Sequence, residues 1–127
     1  VRGLGTKADP RSPLHMDGRA ILGFTRRVVP HSVEKALKLN GLSEEDVDKF
    51  VFHQANAFVL DTLRESLRIE DRKIVRSFDD IGNTTSSSIP IAFRRGIIDC
   101  TAQDDGVVVI SGFGVGLSWS TSVLYKV

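Results

Sequence analysis

The sequence predicts a layered α/β fold, with helices on both faces of a mixed sheet and an antiparallel hairpin at the carboxyl end. Helical and strand patterns follow one another in the order α-β-α-β-α-β-β, which is typical of layered α/β domains. The run from Val107 to Ile110 is apolar at every position, as in a strand that is covered on both faces. The segment after it alternates apolar and polar side chains, which indicates a half-buried strand paired back on its neighbour.

The first helix is predicted from Asp17 to Asn40-Gly41, after a loop or frayed strand over residues 1–16. Its apolar positions recur at helical spacing in two stripes, which contain Ile21, Phe24 and Val28, then Val33, Ala36 and Leu37. Pro30 stands between the stripes and is expected to kink or break the helix, because its ring removes a backbone donor. Gly41 is a typical stop, since glycine accepts the left-handed conformation that ends many helices.

A strand over residues 48–52 leads almost directly into a second helix over residues 56–67. One face of that helix is apolar and consists of Val59, Leu60, Leu63 and Leu67. A short strand over residues 74–78 and a loop over residues 79–83 follow. The third helix is expected to run to about residue 98, because the serines at 86–88 can cap it and Pro90 suits a first turn.

The segment from Gly112 to Gly116 is predicted as a turn between the last two strands. A dinucleotide-binding loop is excluded, because a strand follows and no helix amino end is available for a pyrophosphate. Two interpretations remain: a tight hairpin, or a turn whose backbone N–H groups face a developing oxyanion. The last strand, residues 117–127, is expected to turn one side to the core, formed by Leu117, Trp119, Val123, Tyr125 and Val127.

Length and composition describe one ordinary globular domain over residues 1–127, with 41% apolar and 26% charged residues. The net charge of +1 gives no field for nucleic acid or a membrane surface, and no apolar run approaches the roughly 20 residues of a membrane helix. One cysteine, Cys100, excludes an internal disulfide and fits a reducing cytoplasm. His15 and His31 have no partner at ligand spacing and no carboxylate pair repeats at metal-site intervals, so no metal site is expected. No bound cofactor is expected either.

Two polar side chains follow predicted strands and stand just ahead of helical patterns. His53 follows the strand over residues 48–52, and Asn83 follows the strand over residues 74–78. Open α/β sheets bind ligands at the carboxyl ends of their strands, so both side chains are expected in one site. The alternative for a single histidine is a hydrogen-bonded core residue. Arginines 64, 68, 72 and 76 are interpreted as a solvated face, with a docking patch for an acidic partner or a phosphate as the alternative.

Four motifs occur in an order that resembles one enzyme family. They are Met16-Asp17-Gly18, His53-Gln54-Ala55-Asn56, Gly82-Asn83-Thr84 with the small residues up to Ile89-Pro90, and Gly112-Phe113-Gly114-Val115-Gly116 with Trp119. Over nearly the whole chain they resemble the C-terminal half of 3-oxoacyl-[acyl-carrier-protein] synthase III, the initiating ketoacyl synthase of fatty-acid synthesis. The resemblance implies a thiolase-like fold, in which two similar α/β halves form one enzyme.

The resemblance also implies roles for individual residues. The Cys-His-Asn triad of the family places its histidine at His53 and its asparagine at Asn83, while its cysteine belongs to the N-terminal half and has no match here. The backbone N–H of Val115 matches a donor to the thioester oxygen, and Phe113 matches a phenylalanine of the malonyl site. Gly18 and Asn56 fall where the family contacts the pantetheine arm.

The chemistry of the family explains why neutral donors occupy the two triad positions. Such enzymes take an acyl group from acyl-CoA, decarboxylate malonyl-carrier protein and condense the two. Decarboxylation leaves an enolate, whose oxygen needs hydrogen-bond donors already in place, whereas a carboxylate would repel it. The implied partners are an N-terminal half, acyl-CoA, the acyl carrier protein and a second copy in a homodimer.

One residue departs from the pattern of the family. Phe58 stands where the carrier-protein synthases have an arginine near the tunnel mouth. Enzymes of this fold that load unusual starters, or that transfer acyl groups to oxygen or nitrogen without decarboxylation, therefore remain alternatives. A non-catalytic paired subunit or scaffold half is the competing class, although a scaffold has no use for donors at both His53 and Asn83.

Overall fold

The structure, a computed structural model, describes residues 17–98, 106–114 and 116–125. Its regular elements are α1 (Gly18–Leu39), β1 (Lys49–Phe52), α2 (Ala57–Leu67), α3 (Ser88–Phe93), β2 (Val107–Gly114) and β3 (Ser118–Tyr125). A 3₁₀ turn (Asp71–Lys73) follows α2, a second (Thr85–Ser87) precedes α3, and a π-helical turn (Arg94–Ile98) extends α3. Residues 1–16, Cys100, Val115 and Val127, on which predictions were made, lie outside the described residues.

The three strands form one mixed sheet in the order β1-β2-β3. β1 pairs with β2 in parallel, with Phe50 opposite Val109. β2 and β3 are antiparallel, with Phe113 opposite Trp119, and form the predicted hairpin at the carboxyl end. The mixed α/β architecture expected from the order of patterns is confirmed.

Both faces of the sheet are covered, because successive side chains of a strand point to opposite faces. Phe50 and Phe52 pack with α1 and α2, whereas Val51 between them packs with α3. All three side chains are fully buried. The sheet therefore lies between a two-helix layer and a layer formed by α3 and its π turn.

Of the kink or break expected at Pro30, the break is wrong, since α1 continues through this residue as one helix of 22 residues. Proline inside a helix costs about 3 kcal/mol. The neighbours Val29 and Val33 are fully buried, and Leu37 one turn further on is buried as well. Burial of such side chains stabilises by about 1.5–3 kcal/mol each, which outweighs the cost of the proline.

The strand predicted over residues 74–78 is reduced to a single bridge between Phe50 and Ile74. A side chain takes over the pairing beyond it. The carboxamide of Gln54 donates to the carbonyl of Val75 at 3.2 Å and accepts from the N–H of Ser77 at 2.8 Å. The sheet is therefore extended here by a buried glutamine in place of a backbone strand.

The third helix is less regular than predicted, because it consists of a 3₁₀ turn, the six-residue α3 and a π turn. Gly96 in the π turn lies against Val75, where an added Cβ would come within 2.5 Å of Cγ1. The serines do not cap α3 as expected. Ser87 occupies the N-cap position without a side-chain hydrogen bond, and Ser88 is the first residue of the helix.

β2 is longer than predicted and continues to Gly114, so the turn before β3 is shorter than expected. Gly112 has ordinary strand pairing, and an added Cβ there would lie 3.2 Å from Cδ1 of Ile89 on α3. Close packing of a helix explains this glycine, whereas the prediction had assigned it to a turn. β3 is also more exposed than expected: Trp119 retains 51% of its surface, since α1 covers only part of the strand.

Candidate functional site

His53 is placed by the end of the parallel strand pair. Directly after β1, its backbone N–H donates to the carbonyl of Ser111 at 2.9 Å and so continues the ladder with β2. The imidazole meets the ring of Phe113 edge to face, with centroids 5.5 Å apart and planes at 87°. The ring is thereby fixed above the carboxyl end of β1, where the sequence predicted a ligand site.

The hydroxyl of Ser88 also binds the histidine ring. Its Oγ lies 2.7 Å from Nδ1 of His53 and accepts the backbone N–H of Gln54 at 3.2 Å. Ser88 is only 2% exposed. Sequence reasoning treated this residue as a possible helix cap, because three consecutive serines before a proline give no sign that one of them turns toward a histidine.

Burial controls the charge of His53. Removal from water lowers the pKa of the imidazole below its ordinary value, and a hydrogen bond with the Thr85 backbone acts in the opposite direction. The net effect is a lowered pKa, so the ring is neutral at pH 7. A neutral imidazole can donate a hydrogen bond without bringing a charge into the site.

Asn83 lies in the loop between Phe78 and the 3₁₀ turn that precedes α3. Its Oδ1 accepts the backbone N–H of Thr85 at 2.8 Å, which identifies the oxygen of the amide and leaves the NH₂ group as its other end. Thr85 has a positive φ of 55°, which turns the chain sharply at this point. The Thr85 backbone also raises the pKa of the His53 imidazole, so it acts on both predicted site residues.

An ion pair fastens this loop to the helix behind it. Both carboxylate oxygens of Asp80 bind the guanidinium of Arg95, at 2.7 and 2.9 Å. The N–H of Gly82 closes the turn by donating to the carbonyl of Phe78 at 2.7 Å. The pair lowers the pKa of the Asp80 carboxyl, chiefly through the hydrogen bond from Arg95, and keeps it ionised.

The remaining predicted contacts lie at helix starts. Gly18 is the first residue of α1, whose N-cap Asp17 accepts from the N–H groups of Arg19 and Ala20. Asn56 caps α2, and its Oδ1 accepts from Val59 N–H at 2.9 Å. Phe58 follows in the first turn of α2 and is 64% exposed, as expected for a position off the core stripe.

Gln54 was not recognised as part of the site from the sequence. Its carboxamide makes three buried hydrogen bonds, to the carbonyls of Phe52 and Val75 and from the N–H of Ser77. The peptide after His53 is therefore held in one position. A glutamine beside a candidate catalytic histidine is the signal that could have suggested this role, since a buried amide needs several partners.

Arginines 64, 72 and 76, which were interpreted as part of a solvated face, form ion pairs with carboxylates, and Arg64 and Arg76 are half-buried. Arg76 binds Asp61 at 2.7 Å and Asp71 at 3.1 Å. Arg72 binds Glu70 at 2.7 Å. Within the described ranges, the histidine and carboxylate side chains form no group of three that could hold a metal ion. None of the helices in those ranges combines the length and the apolar character that crossing a bilayer requires.

Comparison with known proteins identifies relatives for most of the chain. The family model described as 3-oxoacyl-[acyl-carrier-protein] synthase III C-terminal matches residues 37–126. The β-ketoacyl-[acyl-carrier-protein] synthase III of Lactococcus lactis is 37% identical over 115 residues, which cover 89% of this chain and 35% of the relative. This chain therefore spans about a third of the length of the curated relatives it matches.

Solved structures give the same relationship. The β-ketoacyl-[acyl-carrier-protein] synthase III of Thermus thermophilus superimposes with a TM-score of 0.84 at 31% identity, covering 98% of this chain and 41% of that one. A priming β-ketosynthase from a polyketide biosynthetic pathway gives a TM-score of 0.78 at 30% identity, covering 87% and 34%. These likenesses confirm the thiolase-like fold that the resemblance implied.

Proposed function

Because this chain belongs to the 3-oxoacyl-[acyl-carrier-protein] synthase III C-terminal family, we propose that it is the C-terminal part of a ketoacyl synthase III type acyltransferase. Residues 1–127 act as one domain, paired with an N-terminal half that supplies the nucleophilic cysteine. The substrates are an acyl-CoA and malonyl-carrier protein. The reaction is a decarboxylative Claisen condensation in fatty-acid or related synthesis.

The observation that carries this proposal is the pairing of two neutral donors next to one backbone segment. His53 is neutral because it is buried, and the oxygen of Asn83 is already bonded to Thr85. An imidazole N–H and an amide NH₂ are therefore the groups available to a substrate oxygen. Two such donors suit an enolate, because they stabilise developing negative charge without an ion to desolvate.

The proposed steps follow from that arrangement. The cysteine thiolate of the N-terminal half attacks the acyl-CoA carbonyl and releases CoA. The carboxylate carbon of the malonyl group then leaves as CO₂, and His53 and Asn83 bind the oxygen of the resulting enolate. The enolate carbon attacks the carbonyl carbon of the acyl-enzyme thioester, and the thioester oxygen accepts a hydrogen bond from the N–H of Val115. The cysteine then leaves as a thiolate.

Substrate-facing roles are proposed for four further residues. Phe113 forms one wall of the malonyl site, since its ring already packs against His53. Gly18 and Asn56 lie along the path of the pantetheine arm, and Phe58 lies near the tunnel mouth. No bound cofactor takes part, the full-length enzyme is a homodimer, and its location is the cytoplasm.

A second candidate function rests on Phe58. This exposed aromatic ring replaces the arginine that the carrier-protein synthases offer to a phosphate or an acidic carrier. A priming β-ketosynthase of a polyketide biosynthetic pathway is among the structures similar to this chain, so a role outside fatty-acid synthesis is the alternative. In this candidate, His53 and Asn83 serve acyl transfer without decarboxylation.

The test is substitution of the two donors in the full-length protein. His53→Ala and Asn83→Ala should each leave acylation of the cysteine intact and lower malonyl decarboxylation by roughly 10²–10³, as expected for one lost oxyanion donor. Release of labelled CO₂ and the mass of the acyl-enzyme measure the two steps separately. His31→Ala, an exposed histidine on α1, is the matched control.

Normal decarboxylation by both variants would exclude the shared enolate site. Acylation without any decarboxylation by the wild-type enzyme would favour the transfer reaction. A full-length protein that neither acylates nor decarboxylates would support the non-catalytic class.

A further inference from the structure

A neutral imidazole carries its proton on either Nδ1 or Nε2, and only the protonated nitrogen can donate a hydrogen bond. At His53 one of the two nitrogens has a side-chain partner. Nδ1 lies 2.7 Å from Oγ of the buried Ser88. The role of Nδ1 in that contact therefore decides whether Nε2 is a donor or an acceptor for a substrate.

The hydrogen bonds of Ser88 define its role toward the ring. A serine hydroxyl has one proton to donate and two lone pairs to accept with. One lone pair accepts the backbone N–H of Gln54 at 3.2 Å. In the described part of the chain, Nδ1 of His53 is the acceptor that the geometry offers to the Ser88 proton.

Burial makes the direction of this hydrogen bond matter. If Nδ1 carried a proton and donated it to Ser88, the hydroxyl would accept two hydrogen bonds and its own proton would lack a partner. Ser88 is 2% exposed, and buried donors without partners are rare in folded proteins. If the hydroxyl donates to Nδ1, both the N–H of Gln54 and the hydroxyl proton of Ser88 have an acceptor.

The backbone N–H of Gln54, the first donor of this series of hydrogen bonds, is itself held in place. The side chain of Gln54 binds the carbonyl of Phe52 at 2.7 Å, the carbonyl of Val75 at 3.2 Å and the N–H of Ser77 at 2.8 Å. The residue cannot rotate its backbone without breaking these bonds. Hydrogen bonds in such a series polarise one another, which strengthens the donation from Ser88 to the ring.

We propose that Ser88 is a positioning residue that fixes His53 as the Nε2–H tautomer. The backbone N–H of Gln54 donates to Oγ of Ser88, and the Ser88 hydroxyl donates to Nδ1 of His53. The tautomer itself is argued from the hydrogen bonds of Ser88. Its consequence, that Nε2–H donates to the enolate oxygen, rests on the proposed function. The competing partner is the Thr85 backbone. If its carbonyl took a proton from Nδ1, Nε2 would be an acceptor and would repel an enolate.

The tautomer can be measured directly by NMR of the full-length protein labelled with ¹⁵N-histidine. Two-bond ¹⁵N–¹H correlations distinguish a protonated from an unprotonated ring nitrogen, and loss of one signal set in His53→Gln assigns the residue. The expected spectrum at neutral pH has protonated Nε2 and unprotonated Nδ1. Protonated Nδ1 in the wild-type protein would overturn the proposal, whatever the activity.

Variants at position 88 test the role of the hydroxyl. Ser88→Ala should give a mixture of tautomers and lower kcat for decarboxylation by about tenfold, less than the 10²–10³ expected when the donor itself is removed. The KM for the malonyl substrate and the rate of cysteine acylation should each change less than roughly twofold, because neither substrate binding nor acylation uses the Nε2–H donor. Ser88→Thr retains the hydroxyl and should recover most of the loss in kcat.

Ser86→Ala is the matched control, because Ser86 lies in the same run of serines and is exposed. Its spectrum and kcat should equal those of the wild type. If Ser88→Ala fails to fold, the wild-type spectrum and the Ser88→Thr kinetics decide. An unchanged tautomer in folded Ser88→Ala would overturn the proposal.

The two hypotheses fail in different ways. A wild-type enzyme with protonated Nε2 that never decarboxylates malonyl groups contradicts the proposed function and leaves the assignment of Ser88 in place. A decarboxylating enzyme with protonated Nδ1 contradicts the assignment of Ser88 and leaves the proposed function in place.

Discussion

At the scale of single residues, the site combines two polar groups held by hydrogen bonds within the chain, His53 half-buried and Asn83 exposed, with an exposed aromatic ring. His53 is bonded on its Nδ1 side and packed against Phe113, and the oxygen of Asn83 is bonded to Thr85. The side chain of Phe58 is 64% exposed and belongs to no core cluster of the described residues. Variation in substrate preference is therefore expected at Phe58 and not at the two donors.

Phe58→Arg should restore attraction to a phosphate or an acidic carrier in the full-length enzyme. The Michaelis constant for CoA and carrier-protein substrates should fall at low salt and rise again with ionic strength, because exposed charges are screened over about 8–10 Å. Steady-state kinetics of the acylation step across a salt series measure this effect. The wild-type enzyme should show weak salt dependence.

Ser66→Arg is a suitable control, since it adds the same charge to an exposed position about 12 Å further along α2. It should leave the Michaelis constants unchanged. An equal response of both variants would indicate a general charge effect. No response of Phe58→Arg at low salt would mean that this position is not at the substrate mouth.

At the scale of elements, Gln54 connects β1 to the segment after Ile74. Gln54→Ala removes three hydrogen bonds and leaves the N–H of Ser77 and the carbonyl of Val75 without their partner. Each buried polar group left unpaired costs about 1–3 kcal/mol, so the free energy of unfolding should fall by about 2–5 kcal/mol. Urea unfolding of the full-length protein measures the change.

Glu34→Ala serves as the comparison, because it removes a side chain of the same length from an exposed position on α1. It should change the free energy of unfolding by less than about 0.5 kcal/mol, as surface substitutions usually do. A Gln54→Ala variant as stable as this comparison would show that the glutamine does not connect the two segments.

The sequence predicted elements well where local pattern and packing agree. The helix predicted over residues 56–67 is α2, with Asn56 as its N-cap, and the apolar run at Val107 forms the central strand. Predictions from the sequence were wrong where a contact between residues distant in the sequence determines the local structure. Backbone pairing after Ile74 is replaced by the side chain of Gln54, and Gly112 is explained by a helix packed against the sheet.

The same reason separates the predicted site residues from the missed ones. His53 and Asn83 follow strand patterns, and a sheet gathers the ends of its strands at one edge. Ser88 reaches the site only because α3 packs across the sheet on the face of Val51, which no local pattern encodes. The placement of His53 at the carboxyl end of a strand could be predicted, whereas its contact with Ser88 could not.

At the scale of the whole molecule, the chain provides two donors and no residue that matches the family's nucleophile. The isolated chain should therefore not be acylated by acetyl-CoA or longer acyl-CoAs, because the thiol that attacks the thioester is missing. Intact-mass measurement after incubation checks this, with the full-length protein as the positive control. Saturable acylation of Cys100 with a stoichiometry near one would contradict the half-enzyme interpretation.

The edge-on contact between Trp119 and Phe24 gives the molecule a built-in optical reporter. Trp119 is the only tryptophan in the chain, and its ring lies 5.5 Å from that of Phe24, across the boundary between β3 and α1. The residue opposite it on β2 is Phe113, whose other neighbour is the ring of His53. Indole emission from this chain therefore registers shifts of α1 against the sheet, one residue pair away from the imidazole.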